Sequence, residues 1–138
     1  MAQESEDDKI RCDEMEQYSI LEETVKQNID YDVLLQSYPN EGQLVQGIYE
    51  LIVETVAYTG KKLVVASNEL PAELVKNRLM KLNFMHIQYV ISSMKKNTTE
   101  IKNIKKYLLA ALYNAPATMQ GYYQAEVNHA MPQYAKRN

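Results

Sequence analysis

A mainly α, compact multi-helix domain with at most one small β-hairpin is the fold class this sequence predicts, on three observations. Apolar residues recur at three- and four-residue spacing along most of the chain. The spacing is clearest at Ile101, Ile104, Leu108, Ala111, Leu112 and Ala115, which share one helical face while Lys102, Lys106 and Tyr113 lie away from it. A single short stretch, residues 62–66, is β-prone. With 46% hydrophobic residues and only four Gly and four Pro in 138 positions, the chain is neither low-complexity nor disordered overall and is long enough to bury one core.

Residues 1–16 are dense in Asp and Glu and poor in apolar anchors, which predicts a solvated, frayed leader ahead of a helical domain over 17–138. From Tyr18, the positions Leu21, Val25 and Ile29 predict a first helix to about Asn28. Asp30 is placed to cap a short helix holding Val33, Leu34 and Leu35, which Pro39 ends. Asn40 with Gln43 has capping-box spacing, and the helix it opens, to about Tyr58, is apolar on most of its circumference and therefore central.

Gly60 breaks that helix. Lys62–Ala66 then predicts a strand turning at Ser67–Asn68 into a local hairpin. Pro71 suits the first turn of the following helix, with its stripe of Leu74, Val75, Arg78, Leu79 and Leu82. A helix from Phe84 to Lys96 carries Ile87, Val90, Ile91 and Met94. The next long helix runs to Ala115 with Pro116 beyond its end, and a last one begins after Thr118, for seven helical segments in all.

The net charge of −3 conceals a polarity. Residues 1–60 hold 14 acidic and 3 basic side chains, net −11, and residues 61–138 hold 4 and 12, net +8. Lys95, Lys96, Lys102, Lys105 and Lys106 form the densest basic cluster. Its near lack of Arg suits weak, salt-sensitive contact with a nucleic-acid backbone better than base readout. Cys12 is the only cysteine, which excludes an intramolecular disulfide and a Cys-rich zinc site and fits a reducing cytoplasm. The most apolar stretch, Leu44–Ala57, is too short and too interrupted to cross a bilayer, and the start of the chain lacks the basic-then-apolar pattern of a secretory signal.

Catalytic patterns are missing. The chain has no phosphate-binding glycine loop and no HExxH, and His86 and His129 stand apart without ligands at metal spacing, so no cofactor or metal is expected. His86 on a core helix is expected to be a packed or edge histidine. Glu22 with Glu23, and Glu50 with Glu54, are carboxylate pairs that nothing in the sequence arranges around a substrate.

Eleven Tyr against one Phe and no Trp is the compositional oddity. Most of these rings suit core edges with their hydroxyls at the surface. Tyr113, Tyr122 and Tyr123 flank the Pro116 turn in a polar context and, with Asn114, Lys102 and Lys106, make the candidate partner surface. The lysine cluster together with the C-terminal tyrosines is the candidate surface for single-stranded DNA.

The run NIKKYLLAALYNAP followed by YY and VNH, with LPAELVKNRLMKLNFMHIQYV before it, resembles the C-terminal domain of plasmid and integrative-element replication initiators of the replication initiator protein A type, over roughly Tyr31 to Met131. The final helices are also similar, at fold level, to DnaD-type primosome domains. Their YxxxIxxxW signature is not kept, since from Tyr107 its Ile and Trp positions fall on Ala111 and Ala115. The resemblance implies a DnaD-like helical module that recruits a replisome protein, a primase or the helicase-loading apparatus, to an origin. It also implies a winged-helix DNA-binding domain upstream, with the acidic leader as the remnant of a linker. A DnaD-type module binding DNA non-specifically, or a self-association module, is the alternative it leaves open.

Overall fold

The helix Gly42–Val56 packs against four other helices, with Gln43, Gln46, Glu50 and Glu54 on its exposed side, and it organises the molecule. A computed structural model describes residues 6–96 and 103–130, and for 7, 8 and 122–130 the backbone alone. The order is α1 (Glu6–Ile29), α2 (Tyr31–Ser37), a 3-10 turn (Pro39–Glu41), α3 (Gly42–Val56), β1 (Lys62–Val65), β2 (Asn68–Pro71), α4 (Ala72–Met80), α5 (Phe84–Lys96) and α6 (Ile104–Ala130). The protein is thus mainly helical, with six α-helices and one two-stranded antiparallel sheet among the described residues.

α3 buries Val45, Ile48, Tyr49, Leu51, Ile52, Val53 and Thr55, and it packs on α1, α2, α4 and α6. α5 closes the core against α1, α2 and α6 through Ile87, Val90 and Ile91. From α6, Leu108, Leu112 and Ala115 enter the same core. The buried Thr55 hydroxyl donates to the Leu51 carbonyl at 2.7 Å, so the one polar side chain in α3's buried face is satisfied within the helix. Asn28 of α1 donates to the Met80 carbonyl at 3.3 Å and so covers a carbonyl at the end of α4.

The hairpin pairs Lys62 with Pro71, Leu63 with Leu70, Val64 with Glu69 and Val65 with Asn68. Val65 is buried, with Leu63 partly buried on the same face, and Val64 points outward, as strand alternation requires. The turn is Ala66–Ser67, one residue earlier than expected, with φ of 52° and 68°. Both central residues are left-handed, the geometry that matches the twist of a two-residue hairpin, and Asn68 is thereby drawn into the strand.

Several local expectations are corrected. α1 starts at Glu6 rather than Tyr18: apolar periodicity reports packing, whereas residues 6–17 are helical through good helix formers and acidic residues near the helix start. Asp30 precedes α2 in a left-handed conformation, φ 52°, with no side-chain cap bond; its carbonyl accepts from the Leu34 N–H at 2.9 Å instead. Asn40 sits inside the 3-10 turn, so Glu41 precedes α3 and no capping box forms. Pro71 ends β2 immediately before α4 rather than opening its first turn.

The largest difference is at Pro116, which lies within α6 and does not end it. Proline leaves the Leu112 carbonyl without its helical donor and crowds it, a cost of about 3 kcal/mol in a helix interior. Core contacts of Leu108, Leu112 and Ala115 hold the turns before it, and Ala117, Met119 and Gln120 after it are good helix formers. The two expected segments are therefore one helix.

Ile52 is 1% exposed at the centre of α3, whereas Val64 is 56% exposed on the hairpin. Ile52→Ala is expected to lower the unfolding free energy by about 2–5 kcal/mol, and Val64→Ala by no more than about 0.5 kcal/mol. Urea unfolding followed by circular dichroism checks both; similar losses would show that α3 is not the centre of the core.

Candidate functional site

Asn103 starts α6: its side-chain oxygen accepts from the Lys106 N–H at 3.0 Å, and its carbonyl accepts from the Tyr107 N–H at 3.0 Å. This cap sets the direction of α6 as it leaves the core, and with it the position of the lysines in its first turn. Lys105 donates to Glu54 of α3 at 2.8 Å, and Lys95 of α5 reaches Glu41 at 2.8 Å while its ammonium lies 5.6 Å from the Tyr38 ring centre. Two of the five clustered lysines are thus matched by carboxylates from the acidic half of the chain. Lys96 and Lys106 are exposed, and Lys102 lies outside the described residues.

The tyrosines divide. Tyr113, expected at a partner surface, is 8% exposed and lies beneath the Arg78 guanidinium, 4.3 Å from its ring centre. It is a core-edge residue joining α6 to α4. Its neighbour Asn114 is exposed and turns its amide back to the Ala110 carbonyl at 2.9 Å. Tyr122 and Tyr123 fall within α6, but their side chains lie outside the described residues.

Two open grooves flank α6. On one side, α5 and α6 leave a cleft of about 270 Å³ between Tyr89 and Tyr107, with Ala110 and Ala111 in it and Asn114 and Thr118 at its edge. On the other, α3, the hairpin and α6 enclose about 390 Å³ lined by Leu51, Tyr58, Leu63, Val64 and Leu109, with Lys105 and Lys106 beside them. The hydroxyl-bearing rims and apolar walls of both suit the docking of another surface.

Tyr49, Tyr31, Glu22 and Lys26 act in structure. Tyr49 donates to Glu22 at 3.4 Å, and its ring packs 4.8 Å from that of Tyr31 at a 44° tilt. The Lys26 ammonium stands 5.5 Å from the Tyr49 ring centre and 5.7 Å from that of Tyr31, so the cluster clamps α1 to α2 and α3. Burial, aided by the Glu22 carboxylate, pushes the Tyr49 phenol up to about 12. Glu50 accepts from Gln46 at 3.1 Å, so neither carboxylate pair stands as an isolated acid–base couple. Among the described residues no group of three His, Cys, Asp or Glu is placed to hold a metal. No helix among them is long and apolar enough to cross a membrane.

His86 has a local role that the sequence reading missed. Asn83 Oδ1 accepts from the His86 N–H at 3.1 Å while His86 Nδ1 accepts from the Asn83 N–H at 3.1 Å. This is a reciprocal cap on α5, with His in the place usually held by Glu or Gln. Its signal was present as Asn83-x-x-His86 at cap spacing.

Fold and grooves define a small helical domain with an open groove on either side of α6. The chain belongs to a family of unknown function, DUF6017, whose family model it matches over residues 4–133. Neither the curated proteins nor the solved structures contain a match to it.

The His86 cap is sensitive to pH. Burial lowers the imidazole below 6.5, and Nδ1 can accept from Asn83 only while unprotonated. Stability from this group is complete above the unfolded value and is lost as pH falls through the lowered folded value, with a slope of at most about 1.4 kcal/mol per pH unit. His86→Gln keeps an acceptor and is expected to flatten the fall in urea midpoint between about pH 7 and pH 5.5. The same fall in both proteins would contradict the cap.

Proposed function

We propose that this chain is a binding module, without chemistry of its own, that recruits a bacterial replication protein to an origin. The observation that carries the reading is the α5–α6 groove, where Tyr89 and Tyr107 flank small residues and Asn114 and Thr118 stand at the edge. Amphipathic rings beside a small-residue floor offer contact area at low entropic cost, the composition of an interaction hot spot. The resemblance of residues 31–131 to replication initiators supports a primase or a helicase-loading protein as the occupant. Such a module acts by tethering: it raises the local concentration of the enzyme at the DNA without altering either one. On this reading it works in the bacterial cytoplasm.

The balance of charge favours a protein over DNA as the ligand. Lys95 and Lys105 face Glu41 and Glu54 at 2.8 Å, which offsets part of the positive field that phosphate binding requires.

Thr118→Arg puts a bulky charge at the edge of the groove on an exposed position. Purified primase and helicase-loading proteins are the baits. One of them should bind the wild-type chain and lose at least about tenfold affinity for the variant, while the melting midpoint stays within a few degrees. Unchanged affinity would move the partner surface elsewhere, and capture that disappears on nuclease treatment would favour the DNA reading.

A further inference from the structure

The hairpin leaves an edge of β1 open, and the phase of its pairing says which backbone groups that edge presents. The Ala72 N–H donates to the Lys61 carbonyl at 2.8 Å. Bonded and non-bonded pairs alternate along an antiparallel ladder, so Leu63 with Leu70 and Val65 with Asn68 are the next bonded pairs. Lys62 with Pro71 and Val64 with Glu69 are then the non-bonded ones. Lys62 and Val64 therefore turn both N–H and C=O away from β2, and among the described residues these four groups meet no partner. The outer edge of β2 is blunted, since Pro71 has no N–H to offer.

The groove of about 390 Å³ between α3, the hairpin and α6 follows the open edge of β1. Leu63, on the core side of the strand, and Val64, on the outer side and 56% exposed, both line it, and no residue of β2 does. Side chains on opposite faces of a strand meet one hollow only at the strand's edge. Leu51 and Leu109 give the groove apolar walls. Lys105 meets Glu54 at 2.8 Å and Lys62 meets Glu69 at 3.8 Å, while Lys106, also in the lining, is exposed without a carboxylate partner among the described residues.

From this juxtaposition we propose that β1 takes an extended segment of a partner protein as a third strand, laid between β1 and the first turns of α6 with a carboxylate toward Lys106. The N–H and C=O groups of Lys62 and Val64 bond the main chain of the segment, and its alternate side chains meet the apolar walls. A helix cannot use this edge, because its own backbone groups are already paired. A second copy is a poor occupant: β1 against β1 would bring Lys61, Lys62 and Lys106 of both copies to one seam, and lysine on an edge strand deters edge-to-edge pairing. The inference does not rest on the replication reading, whose groove lies on the opposite flank of α6.

A phage-displayed library of random linear peptides, panned on the purified chain, is the probe, and the consensus is then made as a free peptide. The selected sequences are expected to alternate β-branched or aromatic residues with polar ones and to carry an acidic residue. Binding should protect the Val64 amide from hydrogen exchange. N-methylation of one alternate set of peptide amides should weaken binding at least about tenfold, and of the other set far less, because only one set faces β1. Val64→Pro removes an outward N–H and no bond of the hairpin, and it should also weaken binding at least about tenfold. Glu69→Pro on the outer edge of β2 and Thr118→Arg in the α5–α6 groove should leave binding unchanged, with circular dichroism verifying that each variant stays folded. Failure to enrich any peptide, binding indifferent to Val64→Pro and to both methylation patterns, or self-association of the chain that Val64→Pro abolishes would each overturn the proposal.

Discussion

Every other element takes its place from the burial of α3. The face of α3 made by Val45, Ile48, Tyr49, Leu51, Ile52, Val53 and Thr55 must be covered by the rest of the chain, and α1, α2, α4 and α6 cover it while Gln43, Gln46, Glu50 and Glu54 stay in water. Covering that face of a 15-residue helix needs only short stretches of each neighbour. α1 gives Val25 and Ile29, and α6 gives Leu108, Leu112 and Ala115. α1 is longer than this task requires, and its residues 9–20, all exposed, continue past the core as an arm.

Charge follows the same geometry. The acidic first half and basic second half of the chain meet at Glu54–Lys105 and Glu41–Lys95, where α6 and α5 close on the elements before the hairpin. Pairs as exposed as Glu54–Lys105 contribute roughly 0–1 kcal/mol each, too little to hold the fold together, so their effect is to set register and to moderate the field near the grooves. Arg78 over Tyr113 and Lys26 beside Tyr31 and Tyr49 do similar work through ring faces.

Packing was legible in the sequence and chain direction was less so. The stripes predicted α3 as the central helix, the limits of α5 and the short hairpin, because burial imposes a period on side chains. The same rule was blind to the start of α1, whose residues 9–20 are all exposed, and it broke α6 at Pro116, where core contacts outweigh the lost hydrogen bond. At Asp30 and Asn40 a capping residue type stood at a plausible place but made no side-chain bond, whereas Asn83 and Asn103, one answered by a histidine, do cap. Tyr113 was misplaced because composition cannot reveal that Arg78, far off in sequence, covers its ring. The lysine cluster was visible, but its pairing with carboxylates more than fifty residues away was not.

Native-state hydrogen exchange tests most directly the claim that α3 is the centre of the core and that the N-terminal half of α1 lies outside it. In native buffer, the amides of Ile48, Leu51 and Ile52 should exchange only through global unfolding. Those of residues 9–17 should exchange at free energies at least about 3 kcal/mol lower, through local opening. Protection of residues 9–17 equal to that of α3 under those conditions would contradict the account, since it would mean that the acidic end of α1 packs within its own chain.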